Sequence, residues 1–170
     1  MSAFINVRIT RDVNIVLHKF MDYFKGFENV EAVREIFGDQ TEKILSDLKV
    51  EFVSRRGYMG VDEQDGHLIV SAYYLKSGTD RDIYLDIVHE LVHVKQCMQG
   101  KKLFDMSYDY VDRPTEIEAY KHAVKEARRL GMTEKEIYAY LRTEWMNEKD
   151  LARLAKSVGV NHDPSANSHR

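Results

Sequence analysis

Residues 89–97 read His-Glu-Leu-Val-His-Val-Lys-Gln-Cys. Side chains four apart on a helix stack on one face, so the imidazoles of His89 and His93 can reach a single ion. Glu90 lies about 100° further round the helix. From there its carboxylate cannot easily ligate the same ion, but it can take a proton from a water on that ion. The chemistry this spacing offers is metal-assisted hydrolysis. The competing reading is a core helix that happens to carry two histidines. An otherwise apolar helix that also holds Glu90 argues against it, because a buried carboxylate without a task is costly.

A catalytic metal of this kind needs a third protein ligand and one open position. Downstream the chain offers Glu116 and Glu118 in Pro-Thr-Glu-Ile-Glu-Ala-Tyr. Two residues apart on a helix, they point about 200° away from each other. Glu116 shares its stripe with Ala119, Ala123, Ala127 and Leu130, small apolar residues that let another helix come close. Glu118 shares its stripe with Lys121, His122, Lys125 and Arg129, and is placed to close a capping box with Thr115. Glu116 is therefore expected inward as the third ligand, with Glu118 the alternative. Cys97 follows His93 by four residues and could be a fourth ligand, which would close the open position. The simpler reading makes it a small buried residue. His67 opens a strand and is expected at the surface.

His89-Glu90-x-x-His93 followed by a helix with Glu116-x-x-Ala119 resembles the gluzincin group of zinc metallopeptidases. It is especially similar to the small single-domain minigluzincins and to the ImmA/IrrE-type peptidases. The resemblance covers about residues 67–131. It implies that His89, His93 and Glu116 bind Zn2+, that Glu90 is general base and acid, and that the edge strand before the histidine helix, here His67–Leu75, receives a peptide or protein substrate. Two places depart from the pattern. Where many gluzincins carry an aspartate that orients a ligand histidine stands Tyr120, whose hydroxyl can accept a hydrogen bond but brings no charge. The residue that steadies the transition state is not singled out, and Tyr108, Tyr110, Tyr120 and His122 are all candidates. The leading expectation is a zinc metallopeptidase. The alternative is a catalytically silent or latent zinc-binding scaffold, and the ligand set also admits non-haem iron.

The elements that must position these residues are legible from periodicity. Apolar spacing predicts helices over Asn14–Gly26, after an Asn29 cap, and from the Asp39-Gln-Thr-Glu42 capping box to Leu48. Val50–Ser54 and His67–Leu75, rich in β-branched and aromatic residues, predict two or three strands of a small sheet. Thr79 caps the longest helix, with Gly100 at its end. Pro114 opens the glutamate helix, which runs to Gly131. Thr133-Glu-Lys-Glu136 opens another to about Met146, and Asn147 caps a last one to about Val158. The fold class expected is α+β and zincin-like: one domain over residues 1–160, with the sheet on the histidine helix, extra helices at both ends, and a loose polar tail at 161–170. Glu144-Trp145-Met146 and the following helix are read as packing.

The 170 residues are 44% hydrophobic and 31% charged, with a net charge of −3. That charge gives no footprint for nucleic acid or an anionic membrane. No run is long and apolar enough to span a bilayer, and the first residues lack the layout of a secretory signal. One cysteine excludes an internal disulfide, so a reducing, cytoplasmic setting is expected. Oligomeric state leaves no mark in the sequence.

Overall fold

The computed structural model describes residues 15–161. Asn14 and nearly all of the tail expected at 161–170 lie outside the described residues. The chain enters through a two-residue strand, β1 (His18–Lys19), and one helical turn, α1 (Phe20–Tyr23). The helix expected over Asn14–Gly26 is therefore reduced to its middle. The Phe20 amide bonds to Leu48 O at 2.9 Å, and β1 pairs antiparallel with β2 (Lys49–Val53). Sheet pairing thus overrides the local helical spacing. Two short helices, α2 (Glu31–Phe37) and α3 (Thr41–Asp47), lie between. Neither takes the cap expected of it: Val30 stands at the start of α2 in place of Asn29, and Asp39 belongs to a 3-10 turn before α3. Their buried faces (Ala32, Val33, Ile36, Phe37 and Leu45) close one side of the core.

The architecture is α+β, with a small mixed sheet in the order β1-β2-β4-β3, where β3 is Met59–Val61 and β4 is Leu68–Ser71. β2 and β4 run parallel; β3 folds back antiparallel on the far side of β4. The Asp62–Gly66 turn makes this possible. Gly66 has φ +79°, which only glycine adopts cheaply, and a Cβ there would stand 3.4 Å from Cys97 Sγ. The strand expected over His67–Leu75 is only half as long. At Ser71 the side chain caps a helix, α4 (Ala72–Ser77), and the aromatic residues that read as strand become helical. β4 is also an interior strand. The strand expected at the edge before the histidine helix is therefore not an edge; among the described residues the edge beyond β4 is β3.

Helix α5 (Asp80–Met98) is the hub. Thr79 Oγ1 accepts from the Asp82 amide at 3.1 Å, and Asp80 and Asp82 favour the positive end of the helix dipole. Its C-terminus closes through Gly100 N to Cys97 O and Lys101 N to Gln96 O. Ile87, Val88, Leu91, Val92 and Val94 pack into the core shared with the sheet and α2. Leu85 enters a second apolar cluster, built by α6 (Pro114–Arg129), α7 (Glu134–Leu141) and α8 (Glu148–Ser157). The capping boxes at Thr133/Glu136 and Asn147/Asp150 are formed. α7 stops at Leu141, earlier than the expected Met146, and leaves Thr143–Met146 as a connecting segment. No helix among the described residues is long and apolar enough to cross a membrane.

His67 is buried, contrary to expectation. Its Nδ1 meets Asp65 Oδ1 at 2.5 Å and its Nε2 meets Glu51 Oε2 at 3.2 Å. Burial draws the imidazole's pKa down, but the Asp65 and Glu51 carboxylates outweigh it and hold the pKa above its usual value. A pKa raised by folding stabilises the native state below the unfolded pKa, and that stability fades as pH climbs through the folded pKa. The melting-temperature gap between the parent and His67→Gln should therefore be widest at about pH 5–6.5 and shrink on going to about pH 9. A gap that is flat or widens with pH in thermal melts would contradict the charged pairing.

Candidate metal centre

α5 and α6 approach closely because α6 presents Ala119, Ala123 and Ala127, all fully buried, to its neighbours. Pro114 sits in the first turn of α6, where a missing amide costs nothing. The preceding loop is pinned at both ends. Thr115 Oγ1 donates to Leu103 O at 3.1 Å, and the Leu103 amide donates to Glu63 Oε1 at 2.9 Å. Arg113 stands at the N-cap and Thr115 lies inside the first turn, so the capping box expected with Glu118 does not form.

The close approach drives Glu116 between the two histidines. Its Oε2 lies 3.1 Å from His89 Nε2 and 3.3 Å from His93 Nε2, and the two Nε2 atoms are 3.1 Å apart. Three ligand-capable atoms thus form a nearly equilateral triangle. Bonds of zinc length put ligand atoms about 3.3 Å apart in a tetrahedron. His89, His93 and Glu116 are all buried and could hold a metal ion. Glu118 turns away, takes hydrogen bonds from Gln96 Nε2 and Lys101 Nζ, and is not in the triangle. Cys97 is half-buried, with Sγ 3.7 Å from Glu63 O, and it stays outside the cluster.

Gln96, absent from the sequence reading, fixes one histidine. It is completely buried. Its amide nitrogen donates to Thr115 O at 3.0 Å and Glu118 Oε2 at 2.9 Å, so its oxygen must be the atom 2.7 Å from His93 Nδ1. An amide oxygen only accepts, so His93 Nδ1 carries a proton, and Nε2 is the nitrogen turned to the triangle. Its position, three residues after His93 on the same face, was the available signal. His89 has no such support: its Nδ1 is buried without a hydrogen-bond partner among the described residues. Tyr120 does not supply one. Its ring packs edge-on to His89 at 4.3 Å between centroids, while its hydroxyl pairs with Tyr110 Oη at 3.0 Å.

The field of the site calls for a positive charge. Burial lowers the pKa of His93, yet the bond to Glu116 and the charge of Glu90 override it and push it up to about 9. Burial raises Glu116, and the two histidines reverse this, holding its carboxyl well below the usual range. A proton or a divalent cation at the triangle answers that field, and a metal would displace the proton. Glu90 is only 8% exposed, and its Oε2 has no hydrogen-bond partner among the described residues. Burial raises its pKa, against the opposing pull of His89 and His93. An unanswered buried carboxylate oxygen beside three converging ligands fits a metal centre with a proton-accepting neighbour.

A cleft of about 150 Å3 opens over the triangle, lined by the three ligand residues, Glu90, β3, Leu103, Phe104, Tyr110 and Trp145. Of the four candidates for a further role, Tyr110 and Tyr120 lie beside the site. Tyr108 is exposed on the loop. His122 is half-buried in the field of Glu118, Glu35, Lys95 and Lys125, on the other side of α6. Neither Tyr108 nor His122 lines the cleft. Comparison with protein-family models, with curated proteins and with solved structures finds no match.

Replacing Gln96 with Leu should weaken zinc binding by about 10–100-fold, the usual cost of removing a group that orients a ligand histidine. Competition against a chelator of known affinity measures it. Unchanged affinity would mean that Gln96 does not set the tautomer of His93.

Proposed function

We propose that this chain is a zinc-dependent peptidase with a zincin-like arrangement, cleaving a peptide or protein substrate. The observation that carries the reading is the triangle of His89 Nε2, His93 Nε2 and Glu116 Oε2 with the unpartnered Glu90 Oε2 beside it. His89, His93 and Glu116 would hold the ion. Zinc there would supply Lewis-acid activation of water and of a carbonyl oxygen.

The remaining roles fall to side chains and backbone already in place. Glu90 takes the proton of the attacking water and passes it to the leaving amine nitrogen. Its raised pKa suits a group that must hold that proton briefly and release it. Among the described residues β3 is bonded to the sheet on one side, through β4. Its free edge beside the cleft can bind an extended substrate through main-chain hydrogen bonds. Gly60 at its centre brings no side chain into the way. Burial raises the pKa of Tyr110 far above neutrality, so its phenol keeps a proton to donate towards a developing oxyanion. A reducing, cytoplasmic setting suits the free thiol of Cys97.

Elemental emission on protein purified without added metal should find about one zinc per chain and a marked loss in Glu116→Ala. Glu90→Gln should keep the metal and lose at least about a hundredfold in peptide hydrolysis. Full activity in that variant would refute the mechanism. Bound iron in place of zinc would move the protein to the two-histidine, one-carboxylate oxygenases.

A further inference from the structure

A second cavity, of about 210 Å3, adjoins the cleft and shares Met59, His89, Glu90, Tyr110 and Trp145 with it. Its wall is a continuous aromatic arc. Tyr74 meets Tyr58 at 5.0 Å, Tyr58 meets Trp145 at 5.8 Å and Trp145 meets Tyr110 at 5.7 Å, each edge to face. Tyr110 then leads through Tyr120 to the ring of His89. Edge-to-face contacts of this kind hold the rings together as one wall of the cavity.

Carboxylates complete the lining. Asp86, one turn before Glu90 on α5, accepts from Tyr74 Oη at 2.5 Å and from Tyr140 Oη at 2.8 Å. Burial raises its pKa against the pull of these two phenolic bonds, and no lysine or arginine pairs with it among the described residues. Asp82 lines the same cavity, its own neighbour Arg81 lying 3.7 Å away. The one arginine in the lining, Arg142, is held by Glu148. Two further polar atoms there lack hydrogen-bond partners among the described residues: Thr143 Oγ1 and Glu90 Oε2. An acidic occupant would face Asp82, Asp86 and Glu90, and a purely apolar one would leave Asp86 without a counter-charge. A cation over aromatic faces satisfies both walls at once. The volume suits a single side chain, being smaller than the pockets that take drug-sized ligands.

We propose that this cavity is a specificity pocket for a basic side chain, lysine or arginine, on a residue flanking the scissile bond. The inference rests on the peptidase reading for its place in catalysis, but the binding it asserts does not require turnover. Trp145 is the only tryptophan in the chain, and its ring forms part of the wall, so its fluorescence reports occupancy directly.

The experiment titrates the full-length, zinc-supplied protein with Nα-acetyl-lysine amide, Nα-acetyl-arginine amide and the uncharged Nα-acetyl-norleucine amide. A saturable change with the two cations, at least tenfold tighter than with norleucine, is expected. Asp86→Asn should reduce that affinity at least tenfold. If this variant does not fold, as judged by near-ultraviolet circular dichroism, Tyr58→Leu at a half-buried position of the arc should reduce it instead. Norleucine binding as well as lysine, or no saturable response to either cation, would overturn the pocket. Digestion of a peptide library separates the two claims. Cleavage with no preference for a flanking lysine or arginine overturns the pocket and leaves the peptidase reading standing. Lysine binding with no cleavage supports the pocket and counts against the peptidase.

Discussion

Everything at the centre of this molecule depends on how closely α6 can lie against α5. The three ligand-capable atoms meet at 3.1–3.3 Å, and a bulky residue at Ala119 or Ala123 would separate the helices and pull Glu116 out of reach. Small residues permit the approach; polar bonds fix its register. Gln96 reaches from α5 to Thr115 O and Glu118, and Thr115 reaches back to the loop at Leu103. The helix pair is thus located by packing along one stripe and by hydrogen bonds at the end nearest the site. A carboxylate carried on a flexible loop would not hold such a triangle without losing conformational entropy each time it formed.

The same packing concentrates negative charge. Asp86, Glu90 and Glu116 are drawn into a region walled by apolar and aromatic residues, and they differ in what they find there. Asp86 takes two phenolic hydrogen bonds, Glu116 sits between two imidazoles, and Glu90 has no partner for its inner oxygen. Burying unpaired charge is unfavourable, so the cluster is stable only with positive charge nearby. Protonated His93 can provide some of it, and a divalent ion would provide more. Metal binding and folding are accordingly expected to be coupled.

The parts of this arrangement readable in the sequence are those fixed by local helical geometry. The facing of His89, His93 and Glu116, and the outward turn of Glu118, follow from 100° per residue and hold wherever the helices pack. The capping boxes at Thr133 and Asn147 are equally local. What the sequence did not disclose depends on distant partners. Residues 20–23 read as the middle of a long helix, but their start is set by Leu48, across the sheet. Ala72–Leu75 reads as strand by composition, and Ser71 turns it into a helix. His67 reads as a surface residue because it opens a strand; its burial depends on counter-charges, Asp65 and Glu51, that come from a turn and a neighbouring strand. Gln96 and Asp86 stood in plain sight on the histidine helix at spacings of three. Their importance arises only from what α6, α4 and α7 bring to them.

The position of α5 between two apolar clusters explains how so many polar residues are accommodated here without weakening either core. One cluster unites the sheet with α2 and α3; the other is assembled by α6, α7 and α8. Polar residues on α5 fall at the seam, where neither cluster needs apolar surface from it. Trp145 stands at the mouth of that seam, 56% exposed, on the segment left over where α7 stops at Leu141. It touches Tyr58 from the sheet side and Tyr110 from the helix side. A side chain that borders both cavities and bridges both halves is well placed to sense what enters either one. The early end of α7 thus frees a residue read as packing to form the outer wall of the site.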